Sequence, residues 1–329
     1  MNPAVPVASP AERDPGKRLV LFHRDLRAFT GGHLKVWDYF NHVASSPAHQ
    51  ARVAFSAESK WDATNPWFAV PRAVGLWNPS QADILFLAGT DWRVVPVAER
   101  MNSSKPIINL IQHPRHAQKK SELRGFLKNR AIRICVSQEV ATAVNATGEI
   151  NGPVFVIPNG IDSQSFGKPK PFEDRGTDVL ICGFKAPELA REVYTKLAGK
   201  NRTVRWLIEW VPRTEYLARV LDAKITVFLP RPVEGFYLPA LEGMACETIV
   251  VCPDCEGNRE FCQDRVNCFR PAYGAKEIIS AALEALQQTD LQREELRKAA
   301  HVTVGAHSLE RERASFRQIL DKIDDLWST

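Results

Sequence analysis

The chain has 329 residues, with 43 Lys and Arg against 38 Asp and Glu, a net charge of +5 and 44% apolar residues. Those fractions exclude wholesale disorder and a fibrous repeat, and no apolar run approaches the roughly 18 residues that a membrane-spanning helix needs. At about 100–200 residues per domain, the length predicts two domains with full-sized cores.

Residues 1–16 hold Pro, Ala and mixed charge but no apolar h-region, so they read as a flexible tail and not as a signal peptide. Without an export signal the expected compartment is the cytoplasm. Short apolar, β-branched runs follow at 18–23, 51–57, 83–88, 107–111, 132–137 and 153–157. A second series lies at 178–182, 204–209, 224–229 and 248–252. Helical patterns fall between them, at 34–44, 138–146, 186–199, 213–222, 238–246 and 274–288. Continuous apolar strands between helices predict parallel sheets covered on both faces. The loop-rich stretch 158–176 separates the two series, so the fold class is α/β with two doubly wound domains. Ligands of open parallel sheets bind at the carboxyl ends of the strands, which predicts a substrate cleft between the domains.

The charge is uneven. Residues 113–133 carry seven Lys and Arg against the single acid Glu122, a local charge of +6. Leu123, Phe126 and Leu127 fall at helical spacing, which predicts a short basic amphipathic helix. Such a helix can lie on an anionic membrane surface, hold an anionic substrate, or be a solvated face with its apolar side in the core. No recognisable nucleic-acid-binding module accompanies it. Seven cysteines, an odd number, rule out a complete disulfide framework. Cys252, Cys255, Cys262 and Cys268 cluster, but only the first two have zinc-site spacing, and buried thiols are the alternative.

The segment 234–246, EGFYLPALEGMAC, directly follows a strand. Pro239 suits the first turn of a helix, and Gly235 allows close backbone approach. Backbone N–H groups of Phe236, Tyr237 and Leu238 would then form an anion site at the helix N-terminus, wide enough for a diphosphate. Glu234 and Glu242 bracket it, as acceptors for sugar hydroxyls.

With these residues in view, the chain resembles the retaining GT-B-fold glycosyltransferases of family 4, the glycosyl transferases group 1. The resemblance rests on Glu-x7-Glu in EGFYLPALE, on GMACETIVV and GNREF behind it, and on VIPNGID at 156–162. RLVLFHRD with Gly31-Gly32 looks like the family's first strand and glycine loop. HSLERERASFRQILDKI looks like the terminal helix that crosses back to the first domain. The implied architecture is two Rossmann-like domains facing a cleft. A first, acceptor domain takes 17–160 with 308–329, and a donor domain takes 161–307. The resemblance implies that Glu234 contacts the donor sugar and Glu242 the ribose. It implies that His113 lies near the reacting carbon and that Gly31 and Gly32 approach the diphosphate. Lys185, next to Gly183, becomes the cation for the leaving phosphate, and the catalytic set is His113, Glu234 and Lys185.

Two departures stand out. Tyr237 occupies a position that is usually small. An arginine usual soon after the glycine of the second domain's first strand is missing, with Arg231 or Arg213 as substitutes. The chain has no Asp-x-Asp motif, so no carboxylate-held Mg²⁺ is signalled and no cofactor is expected beyond a nucleotide-diphosphate sugar as co-substrate. The expected reaction is transfer with retention to a saccharide, glycolipid or glycoprotein acceptor, in surface polysaccharide or glycoconjugate biosynthesis. Trp37, Trp61, Trp67, Trp77 and Trp92 could stack on an acceptor sugar or pack the core, and 61–82 could form an acceptor lid. The alternatives are a degenerate GT-B protein that only binds a partner, and a nucleotide-sugar epimerase. A dinucleotide-dependent oxidoreductase is disfavoured, because no Gly-x-Gly-x-x-Gly follows a strand.

Overall fold

Two parallel sheets organise the protein in the computed structural model, which describes residues 13–199 and 201–328. Residues 1–12 of the expected tail lie outside the described residues. Arg13 donates to Asp83 (2.7 Å) and to the Gln81 carbonyl (3.1 Å).

The first unit runs to Pro158 and resumes at Glu312. Its strands are β1 (Arg18–Arg24), β2 (His49–Phe55), β3 (Ile84–Ala88), β4 (Ile107–Ile111), β5 (Ile132–Cys135) and β6 (Val154–Val156). They pair in the order β2-β1-β3-β4-β5-β6. Every residue of β3 and β4 is buried, as parallel strands covered on both faces require. Strand order reverses between β1 and β3, which creates a switch point at their carboxyl ends. Helix α1 (Gly31–Ala44) starts there, with the Thr30 hydroxyl accepting from the His33 N–H. Two single-turn helices follow, α2 (Val97–Arg100) and α3 (Glu122–Gly125), and then α4 (Gln138–Asn145).

The expected basic amphipathic helix is not continuous. Pro114 opens a 3-10 turn at 114–117, α3 gives one α-turn, a second 3-10 turn spans 126–128, and β5 begins at Ile132. Leu123, Phe126 and Leu127 do face the core. Arg133 lies on β5, fully buried, and donates to the carbonyls of Phe126, Leu127, Asn129, Ala131 and Asn151. Its guanidinium ties the irregular backbone together and is not available at the surface.

The second unit spans Asn159–Arg311. Its strands are β7 (Thr177–Cys182), β8 (Val204–Leu207), β9 (Ala223–Phe228) and β10 (Ile249–Val251), paired β10-β9-β7-β8. Its helices are α5 (Pro187–Leu197), α6 (Arg213–Leu221), α7 (Leu238–Ala245), α8 (Ala275–Leu286) and α9 (Asp290–Ala306). Val179, Ile181, Ile225 and Val227 meet Val193, Leu197, Ile278 and Ala282 in its core. In the Ile-Pro-Asn-Gly-Ile-Asp segment, Ile161 bridges to Ser308, and a Cβ on Gly160 would sit 2.4 Å from the Ser308 carbonyl oxygen. Only glycine permits that approach.

The chain returns to the first unit through α10 (Leu309–Asp321) and ends in α11 (Ile323–Ser328). Phe316 packs edge-on against Tyr39 at 4.8 Å. Glu312, buried, is paired with Lys35 Nζ (2.6 Å) and His42 Nε2 (2.9 Å) on α1. No helix among the described residues is long and apolar enough to cross a membrane.

Candidate functional site

The second sheet reverses order between β7 and β9, so its switch point lies between the loops that leave these two strands. The loop after β7 carries Gly183 and Lys185, and the loop after β9 carries Arg231, Glu234 and Gly235. Lys185 Nζ lies 2.8 and 2.7 Å from the two oxygens of Glu234. The Arg231 N–H also donates to Glu234 (3.1 Å), while the Arg231 residue as a whole is exposed. The Glu234 side chain is only 8% exposed and that of Lys185 is 43% exposed, so the pair is anchored on the acid and open at the cation. Lys185 also stands 5.3 Å over the Tyr237 ring. Tyr237 itself is buried, and burial pushes its hydroxyl well above the usual phenol range.

A second ion pair sits one helix further. Glu242, on the inner side of α7, bonds Arg213 at 2.8 Å. Arg213 opens α6, directly after the loop from β8, and its guanidinium lies over Phe166. Each acid of the Glu-x7-Glu motif therefore faces a cation, and Arg213 is one of the two residues named from the sequence as substitutes for the arginine that does not follow Gly183.

The backbone around the start of α7 departs from expectation. The Tyr237 N–H is bonded to the Gly257 carbonyl (2.9 Å), and the Leu238 N–H to that of Phe236 (3.1 Å). Of the three N–H groups expected to meet an anion, only that of Phe236 has no partner among the described residues. The cause is the loop at 255–258, which packs under the turn. A Cβ on Gly257 would lie 2.8 Å from Glu234 Cβ and 3.0 Å from the Phe236 nitrogen. The Phe236 ring stacks on Phe261 in the interior. Gly235 is buried beside Glu234. Gly183 is required by packing, since a Cβ there would sit 2.3 Å from that of Ala190.

In the first unit, Gly31 and Gly32 open α1. The Gln112 side chain at the end of β4 donates to the Gly32 carbonyl (3.2 Å) and puts the glycine turn beside His113. The Arg115 N–H donates to His113 Nδ1 (3.0 Å), which leaves the neutral ring's proton on Nε2. At the β1/β3 switch point Arg24 bonds Asp91 (2.5 Å) and His33 Nδ1 (2.8 Å). Burial, helped by Arg24, lowers the His33 pKa to about 4. Among the tryptophans, Trp61, Trp67 and Trp92 are buried packing residues, while Trp37 and Trp77 are half-buried. Trp67 meets Trp37, Phe40 and Phe55, so the 61–82 loop is anchored to the core.

Cys252, Cys255, Cys262 and Cys268 are buried thiols, and Asn258 donates to the Cys252 sulfur (3.2 Å). Burial pushes the Cys255 thiol up to about 12. Among the described residues no group of three or more His, Cys, Asp or Glu is placed to hold a metal ion.

Two parallel Rossmann-like units with this strand order make up the GT-B fold of glycosyltransferases. Residues 168–302, most of the second unit, match the family described as Glycosyl transferases group 1. Among solved structures, Anabaena HepE, crystallised with UDP-glucose, superposes with a TM-score of 0.74 at 16% identity, over 92% of this chain and 99% of that one. Sucrose-phosphate synthase from Thermosynechococcus elongatus gives 0.70 at 12% identity, over 94% and 100%. A glycosyltransferase from Rickettsia africae gives 0.63 at 12%, over 93% and 98%. No curated protein matches the sequence.

Proposed function

We propose that this protein transfers a sugar from a nucleoside-diphosphate sugar to a saccharide, glycolipid or glycoprotein acceptor, with retention at the anomeric carbon and without a metal ion. The pathway is surface polysaccharide or glycoconjugate biosynthesis. The observation that carries the reading is the pairing of Glu234 with Lys185 and of Glu242 with Arg213 at the switch point of the second sheet. Glu234 is assigned to hydroxyls of the donor sugar and Glu242 to the ribose. Lys185, Arg213, the Phe236 N–H and the positive end of α7 are assigned to the diphosphate. That concentration of fixed positive charge is what a departing diphosphate needs, and it replaces the charge of a metal.

In this reading the bond from the anomeric carbon to the diphosphate oxygen breaks, and the acceptor oxygen bonds to the same face. The acceptor proton passes to the departing phosphate. His113 is the candidate that the first, acceptor-reading unit contributes. Because HepE was crystallised with UDP-glucose, uridine nucleotides are the first donors to test.

The test is a thermal-shift screen with UDP, GDP, dTDP, ADP and CMP and their sugars. A ligand at 100 times its dissociation constant adds about 2.7 kcal/mol to stability. The expected result is a higher melting temperature with one nucleotide, lost in Glu242→Ala. No shift with any nucleotide overturns the donor assignment. The anomeric configuration of the product, read by NMR, then decides between retention and inversion.

A further inference from the structure

The fold sorts the seven cations of 113–133 into two groups. Arg133 is buried under five carbonyls. Arg124 bonds Glu149 (3.1 Å), and Glu149 also faces Lys128. Arg130 lies 4.4 Å over the Trp327 ring. The one acid of the segment, Glu122, is taken by Arg93 from the loop after β3 (2.8 Å). What is left is Arg115, Lys119 and Lys120, all exposed and with no carboxylate partner among the described residues. Three like charges within six residues repel one another, and no ion pair among the described residues offsets that repulsion.

Their place in the fold gives them a use. They follow the carboxyl end of β4 and His113, where open parallel sheets bind ligands. The bond from Gln112 to the Gly32 carbonyl ties the end of β4, from which their loop departs, to the first turn of α1, and that turn holds no acid. His116 beneath them is buried and stays neutral, so it neither adds to nor subtracts from the charge.

We propose that Arg115, Lys119 and Lys120 bind a phosphate group carried by the acceptor. The proposal rests on the reading of the protein as a glycosyltransferase and names the chemical class of its second substrate. A phosphate ester carries about −1.5 to −2 charges and three strong acceptor oxygens, which matches one guanidinium fork and two ammonium groups. A neutral saccharide has no use for three unpaired cations. The phosphate can belong to a soluble sugar phosphate or to a lipid headgroup, and the chemistry at the protein is the same.

The experiment uses the full chain at low salt. Glucose and glucose 6-phosphate are titrated against the backbone amides of 113–120 by NMR. Vesicles of phosphatidylcholine, with and without phosphatidylglycerol, are tested by co-sedimentation. The same measurements are made on Arg115→Glu/Lys119→Glu/Lys120→Glu, with melting temperature and nucleotide-induced shift as controls for folding and for the donor site. The expected result is at least tenfold tighter binding of glucose 6-phosphate than of glucose, or at least tenfold more protein on the anionic vesicles. Either preference is lost in the triple variant, while its nucleotide shift is retained. The first outcome identifies a soluble phosphate acceptor and the second a lipid-borne one. Equal binding of each charged and neutral probe, or a preference that survives the triple variant, overturns the proposal. Loss of the nucleotide shift from the unaltered protein would instead strike the glycosyltransferase reading and leave the phosphate site standing.

Discussion

Lys185 places its ammonium against both carboxylate oxygens of Glu234, at 2.7 and 2.8 Å, from a loop on the neighbouring strand. The acid assigned to the donor sugar is thus held by the cation assigned to the leaving phosphate. In that assignment each group masks the other until a donor separates them. Glu234→Gln removes the charge that holds Lys185 and leaves a side chain of the same shape. A nucleoside diphosphate without its sugar is then expected to bind several-fold more tightly, while sugar transfer falls on the order of a hundredfold. Calorimetry with the diphosphate and initial-rate measurements with the sugar nucleotide check the two halves. Equal loss of both would show that Lys185 and Glu234 act as a structural pair only.

Arg213 makes the corresponding pair with Glu242 at 2.8 Å. A hydrogen bond to a charged group is worth about 1.5–3 kcal/mol, so Arg213→Ala should weaken nucleotide binding by about tenfold or more. Arg213→Lys keeps the charge but loses the planar fork, and should recover only part of the affinity. Unchanged binding in Arg213→Ala would remove Arg213 from the donor site.

Gly257 is a residue whose importance lies in space and not in charge. Its missing side chain leaves 2.8 Å between the would-be Cβ and Glu234 Cβ, a distance no real contact tolerates. Gly257→Ala must push the 234–237 turn outward. Forced overpacking of this kind costs about 1–3 kcal/mol, and the displaced Glu234 should cut transfer as well. Urea unfolding together with nucleotide titration measures both effects, and wild-type values in both would mean that the loop yields freely.

How much of this was legible in the sequence depends on whether the signal is local. Strands such as β3 and β4 announce themselves as apolar runs because they are buried on both faces. Glu234 and Glu242 were legible from a spacing on one turn and helix. Helix α9 buries only Leu296 and Ala300, so its apolar stripe is faint, and its clearest mark in the sequence is the capping box of Thr289 and Gln292. The partner of Glu242 was less accessible, because Arg213 arrives from a different strand and only packing joins them. The basic segment misled for a similar reason: helical spacing of Leu123, Phe126 and Leu127 is compatible with short 3-10 and α-turns. Nothing local shows that Arg133 turns inward to bind five carbonyls.

Glu312 anchors the returning helix α10 through Lys35 and His42 in a buried setting. Lys35 holds the Glu312 carboxyl below the usual range even though burial opposes ionisation. Breaking a buried pair by removing one partner costs about 3–5 kcal/mol, because the other charge is left stranded. Glu312→Ala should therefore destabilise the first unit strongly. Glu312→Leu combined with Lys35→Met and Asp38→Asn should cost much less, since Asp38, the second partner of Lys35 (2.8 Å), is then not left as an unpaired buried charge. Chemical denaturation of the single and triple variants tests this, and a triple variant as unstable as the single would show that packing, not charge, is what Glu312 supplies.

His116 gives the fold a pH dependence of defined sign. Burial, reinforced by Arg115, His113 and Arg133, lowers its pKa to about 3 in the folded protein. The unfolded chain takes up that proton near pH 6.5, the ordinary histidine value. The stability from keeping His116 neutral is therefore complete above about pH 6.5 and declines as the pH falls toward the folded value. The slope is at most about 1.4 kcal/mol per pH unit for one proton. His33, at about 4, adds a second proton over the upper part of the same window. His116→Leu keeps the apolar surroundings filled and removes one titrating group. Stability measured by urea unfolding at pH 7, 6 and 5 should fall less steeply in this variant, by about one proton's slope. An unchanged slope would mean that His116 is protonated in the folded state, and that the charges of Arg115 and Arg133 are offset by groups other than the ones described.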